Sequence, residues 1–116
     1  MNILAIDTSS DIEFITLRTS GGAFTRSGKP ERSHSVDLVT TVDSLLNDGR
    51  VTIRDIDIFA VGIGPGSFTG IRIAVSTTRM MAQVTSRPLV GIPTPLLYAV
   101  SLSGHADSDD SIIVAL

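Results

Sequence analysis

Two clusters in this chain of 116 residues carry residue types at spacings that chemistry can use. The first is Asp7-Thr8-Ser9-Ser10-Asp11, a carboxylate and hydroxyls that follow the apolar run Ile3-Leu4-Ala5-Ile6. A carboxylate there can orient a metal-bound water. It can also accept hydrogen bonds from the turn that follows, the commoner fate of an Asp that ends a strand. The second cluster is Gly64-Pro65-Gly66-Ser67-Phe68-Thr69-Gly70, which joins an apolar run to a helical pattern. Glycines at such a junction let backbone approach a ligand and aim the free N–H groups of a helix N-terminus at an anion. They equally permit a tight turn and close helix–sheet packing, with Ser67 or Thr69 as the cap. Spacing excludes the two standard phosphate fingerprints. A dinucleotide motif needs a glycine at position 67 or 69, where Ser67 and Thr69 stand, and a Walker A loop needs Gly-Lys-Ser/Thr, whereas the only lysine, Lys29, precedes Pro30. Spacing alone therefore favours packing.

Other candidates are weaker. Arg72, in the first turn after the glycines, would serve as a phosphate or carboxylate clamp or as a surface ion pair. His34 stands at a helix start with no second histidine within a turn, and His105 is the only other one. Asp107, Asp109 and Asp110 lack the glycine and distal Glu of a calcium loop and read as a solvated connection. The absence of Cys removes disulfides, cysteine zinc sites and thiol catalysis. No metal site is expected. A net charge of −3 gives no electrostatic grip on a phosphate backbone, and four Phe and one Tyr make a poor stacking platform for RNA. No apolar run approaches the roughly 20 residues that span a bilayer, and Asp7 comes too early for a signal peptide. The expected location is the cytoplasm.

The elements that position these clusters follow from pattern. Asn2 to Asp7 reads as a buried strand. Ile12 to Thr19 and Ala23 to Ser27 flank Ser20-Gly21-Gly22 and form a hairpin. Ser33 or Ser35 caps a helix with apolar positions Leu38, Val39, Val42, Leu45 and Leu46, ended by Gly49 as a C′ glycine. Ile58 to Ile63 is a doubly buried parallel strand, a second helix runs from about Phe68 to Thr85, and Leu89 to Ile92 is a short strand. Thr94 caps a third helix with Pro95 in its first turn, ending near Ser103-Gly104. The last run, Ile112 to Leu116, is strand-like. The second helix is apolar on two faces: Ile71, Ala74, Val75, Thr78 and Met81 or Ala82 on one, Ile73, Met80 and Val84 with Thr77 on another. Such a helix is deeply buried or shared with a partner.

Gly64 to Arg72 resembles the signature of the TsaB (YeaZ) family, a component of the bacterial machinery that makes threonylcarbamoyladenosine in tRNA. Ile3 to Ser9, Ser33-His34-Ser35, Asp55-Ile56-Asp57 and Pro88 to Ile92 are similar to further family segments in the same order. The resemblance implies an α/β, actin-like (ribonuclease H-like) domain: a mixed sheet of three antiparallel then parallel strands with helices on both faces. It implies a non-catalytic partner subunit of TsaD, needed for N6-threonylcarbamoylation of adenosine in tRNAs that read codons beginning with adenine. TsaD's paired metal histidines have no counterpart in Ile92 to Tyr98, and the first loop has Thr8-Ser9-Ser10 where actin-like ATPases place glycine. The catalytic set is therefore empty. ATP and a divalent metal are expected on partner subunits, with Asp7, Gly64, Gly66 and Ser67 at most near nucleotide. The implied partners are TsaD, the ATPase TsaE, tRNA through the complex, and a second copy in isolation. The implied interface is Ile73, Thr77, Met80 and Val84, with Leu38 and Val42 on the first helix. Family members carry a second actin-like domain, so residues 1–110 are expected to form one domain and 111–116 to begin another. The alternative is a stand-alone nucleotide hydrolase using Asp7, or a glycoprotease-like peptidase, although no Ser–His–Asp spacing is readable.

Overall fold

The computed structural model describes residues 1–29 and 34–96. Five strands form one sheet in the order β3-β2-β1-β4-β5: β1 Ile3–Asp7, β2 Glu13–Thr19, β3 Gly22–Gly28, β4 Ile58–Gly62 and β5 Leu89–Ile92. β1 to β3 run antiparallel, and β4 and β5 continue parallel to β1. Helix α1 spans His34–Asp48 and α2 spans Phe68–Thr85. The expected succession of elements, the antiparallel-then-parallel sense of the strands, the bounds of α2 and those of β5 agree with this architecture.

Register decides which side chains share a face. Leu4 stands opposite Leu17 and Phe59, and Ile6 opposite Ile15 and Val61, so these six line one face. Leu38, Val42, Leu45 and Leu46 of α1 and Ala74 and Ala82 of α2 close over them in a single apolar cluster. Both described helices thus lie on the same face. The third helix, expected from Thr94, is described only over 94–96; its remainder, His105, the Asp107–Asp110 loop and the Ile112–Leu116 run lie outside the described residues. On the opposite face, Ala5, Asp7, Phe14, Thr16, Ala60 and Gly62 border a cavity of about 260 Å³.

Two sequence expectations need correction. Leu38 and Val42, placed in the interface by the family resemblance, are buried at 0% and 3% exposure in the core, so they cannot present an interface; their helical spacing turns them to the sheet. Gly49 is not the left-handed residue after α1, because that role falls to Arg50, with φ 56°. The Val51 N–H donates to Leu46 O and the Arg50 N–H to Asn47 O, a Schellman closure with arginine at C′. Glycine is needed at 49 for space, since a Cβ there would lie 2.7 Å from the Leu17 side chain. α2 closes the same way on Ser86, φ 54°.

The Asp55-Ile56-Asp57 segment pins the start of the parallel pair. The Asn2 N–H donates to Asp57 Oδ2 at 2.7 Å, and the Asp57 N–H returns to Asn2 O at 2.8 Å. Asp55 ends a single 3-10 turn, Ile53–Asp55. The Thr52 backbone N–H and hydroxyl both donate to its carboxylate, which holds the Asp55 carboxyl below its usual 3.8. A depressed folded-state pKa gives stability that is present above the unfolded value and lost as pH falls through the folded one. Asp55→Asn should therefore lower the neutral-pH plateau of the thermal midpoint slightly, the exposure of the group keeping the effect small, and flatten the acid-side decline so that the two proteins converge at low pH, as checked by melting curves across that range.

Candidate functional site

The two sequence clusters meet at the C-terminal ends of the parallel strands. Asp7, the last residue of β1, is 9% exposed. Its Oδ1 accepts the Ser9 N–H at 2.8 Å, and its Oδ2 accepts the Thr94 hydroxyl at 2.9 Å. Thr94, fully enclosed, also accepts the Gly64 N–H at 3.0 Å, lies 3.2 Å from Ser9 Oγ, and donates its own N–H to Gly64 O. Three chain segments that follow three strands are thereby fastened through one carboxylate and one hydroxyl. Gly62 makes room for this, because a Cβ there would sit 2.0 Å from Asp7 Oδ2.

The glycine-rich turn is packed against the first cluster. A Cβ on Gly66 would meet Ser9 O at 2.2 Å, and one on Gly70 would meet Thr8 O at 1.9 Å. The Ser67 N–H donates to Ser9 O at 2.6 Å, and the Thr8 hydroxyl donates to Gly70 O. Gly64 adopts φ +89°, where an L side chain is strained. Ser67 caps α2 by accepting the Gly70 N–H at 3.2 Å, as its type and place suggest. The Ser67, Gly70 and Ile71 amides are all spent inside the protein. The turn is a joint that lets α2 start against the β1–β2 connection, which is the packing alternative left open by spacing.

Asp7, Gly64, Gly66 and Ser67 are thus brought together, and their polar groups are largely committed to one another. Sequence reasoning missed the role of Thr94. It was expected only to cap the third helix, yet its hydroxyl serves the β1 and β4 turns; a threonine two residues past the end of a short strand was the available signal. Among the described residues no three His, Asp or Glu side chains are grouped to hold a metal ion. Likewise, no described helix is long and apolar enough to cross a membrane. His34 begins α1.

The outer face of α2 differs in kind. Its sheet side buries Gly70, Ala74, Thr78 and Ala82 at intervals of four, residues small enough to seat the helix close to β4 and β1. Met80 and Val84 remain 56% and 65% exposed, and Ile73 and Thr77 are half-buried beside them. All four expected interface residues of this helix lie on or beside that outer surface.

Residues 20–115 match a family model described as TsaD, tRNA N6-adenosine threonylcarbamoyltransferase. The chain is 31% identical over 85% of its length to the tRNA threonylcarbamoyladenosine biosynthesis protein TsaB of Escherichia coli, of which it covers 43%. The solved structure of YeaZ from Pseudomonas aeruginosa superposes on 90% of the chain with a TM-score of 0.81 at 30% identity, and 49% of that protein is covered. Thermus thermophilus RuvC shares the fold, with a TM-score of 0.57 at 15% identity over 94% of this chain and 74% of its own. The chain thus spans less than half the length of the TsaB and YeaZ relatives it matches.

Proposed function

This chain belongs to the tRNA N6-adenosine threonylcarbamoyltransferase family, in its TsaB (YeaZ) branch, and on that premise we propose that it is a non-catalytic partner subunit in tRNA threonylcarbamoyladenosine biosynthesis. The observation that carries the proposal is the apolar outer face of α2. Ile73, Thr77, Met80 and Val84 follow helical spacing; Ile73 packs in part against the core, and Met80 and Val84 carry the apolar edge on into water, which supports reading it as a partner surface. Met80 suits such a surface because its unbranched side chain adapts to what it meets. The state of the glycine turn points the same way. A catalytic loop works through free donors and a free carboxylate, whereas here both Asp7 oxygens and the Gly64, Ser67, Gly70 and Ile71 amides are engaged in joining β1, β4, β5 and α2.

In this reading the partner is the TsaD subunit, and ATP and divalent metal are handled by TsaD and the ATPase TsaE. No cofactor is assigned to this chain, tRNA is engaged through the complex, and the work is done in the cytoplasm. A second copy is the expected occupant of the same face when the partner is missing. Mixing with TsaD tests the proposal. Co-elution as a stoichiometric complex is expected, lost on Ile73→Asp together with Met80→Asp; burying two carboxylates in an apolar contact should weaken pairing at least about a hundredfold. Undiminished co-elution of the double variant would sink the interface assignment.

A further inference from the structure

The chain contains no Cys, no Trp and three Met, so the sulfur that a mild oxidant can reach in it is thioether sulfur. The three sites differ in setting. Met81 is half-buried and packs against the core. Met1 is 77% exposed but precedes β1, outside α2. Met80 is 56% exposed in the middle of the outer edge of α2, with Thr77 one turn before it and Val84 one turn after it. A cysteine needs a lowered pKa to react, whereas a methionine needs only access. Adjacent residues on one helix thus place one thioether in the core and the other in water. Ser76 and Gln83, also about one turn from Met80 on either side, are exposed polar neighbours, so an oxygen added to the Met80 sulfur is readily hydrated on the free helix and loses that hydration once the face is covered.

We propose that Met80 is a reversible oxidation site that controls assembly: a hydroperoxide converts its thioether to the sulfoxide, and the chain then pairs poorly until the sulfoxide is reduced. This rests on the partner-surface reading above and adds a chemical means of regulating that surface. The sulfur lone pair attacks one peroxide oxygen, the S–O bond forms as the O–O bond breaks, and the displaced oxygen leaves as water or an alcohol after proton transfer. Sulfur gives up two electrons. A dithiol reductant returns them, releasing the oxygen as water and becoming a disulfide. The product side chain is polar and chiral where an adaptable apolar one stood, and burying it against an apolar partner strands its oxygen without a donor. Either occupant of the face, TsaD or a second copy, meets the same obstacle. A bound partner in turn covers Met80, so the free chain takes the oxidation and the assembled one resists it.

The test treats the free chain with hydrogen peroxide, removes the peroxide with catalase, locates the added oxygen by peptide mass, and measures binding to untreated TsaD. Met80 should oxidise well ahead of Met81, and the oxidised chain should lose about tenfold or more in affinity. Incubation with the two methionine sulfoxide reductases, one for each epimer, and a dithiol should restore it. Met80→Leu supplies the control without sulfur at this position: whatever its own starting affinity, peroxide should not change it. Thermal midpoints before and after treatment keep unfolding out of the comparison. Undiminished binding by chain shown to carry the Met80 sulfoxide would overturn the switch, as would an equal loss in peroxide-treated Met80→Leu, which would trace the effect to another site. Met80→Asp separates the two levels. If it abolishes pairing while the sulfoxide is harmless, the switch falls and the surface stands; if it too is silent, both fall.

Discussion

Gly70→Ala is expected to destabilise the domain by more than about 3 kcal/mol, at the severe end of single substitutions. The added Cβ would lie 1.9 Å from Thr8 O, a backbone atom rather than the tip of a flexible side chain. Nothing nearby can yield cheaply, because the Thr8 hydroxyl bonds to Gly70 O and the Ser67 N–H to Ser9 O. Moving α2 away to relieve the clash breaks both. The control is Gly28→Ala, whose Cβ meets nothing within 4 Å and should change stability by no more than about 0.5 kcal/mol. Urea unfolding of the two variants measures the difference; equal midpoints would show that the turn is loose enough to take up a ligand.

Asp7→Ala should cost about 2–4 kcal/mol, because it leaves the buried Ser9 N–H without its acceptor and frees the Thr94 hydroxyl. Asp7→Asn keeps an oxygen for Ser9 and should cost distinctly less. This ordering separates a structural carboxylate from a chemical one. A metal-orienting Asp would lose its activity in Asn and Ala alike while the fold survived. A fastening Asp loses stability in proportion to the hydrogen bonds removed, and any loss of tRNA modification follows the folded fraction. Denaturation midpoints set beside reconstituted activity for the same two variants decide between them.

Much of this architecture could be read from pattern. The apolar runs of β1 and β4, the Ser20-Gly21-Gly22 connection and the stop before Pro88 are local signals, and local signals carry element type. What escaped was long-range. Leu38 and Val42 repeat at helical spacing, but spacing says only that they share a face; their burial depends on how α1 is rotated about its axis over β2 and β3. Gly49 looked like a left-handed cap because glycine commonly is one, yet a side chain 32 positions away in sequence, Leu17, sets the demand for a small residue there. Thr94 met Asp7 across 87 residues, a contact no window of sequence contains. The glycine turn was legible as a turn, but its close packing depends on Ser9 and Thr8, distant in sequence, whose carbonyls lie where a Cβ on Gly66 or Gly70 would stand.

The central claim is that this chain contributes a surface, with its glycine turn serving as a joint. Reconstituted threonylcarbamoylation of tRNA by the complex, with the chain supplied as Met80→Asp or as Asp7→Asn at equal folded concentration, tests it most directly. The account predicts that Met80→Asp abolishes modification and that Asp7→Asn retains it. Full activity of Met80→Asp with loss in Asp7→Asn would contradict the account and make the β1 carboxylate the working group.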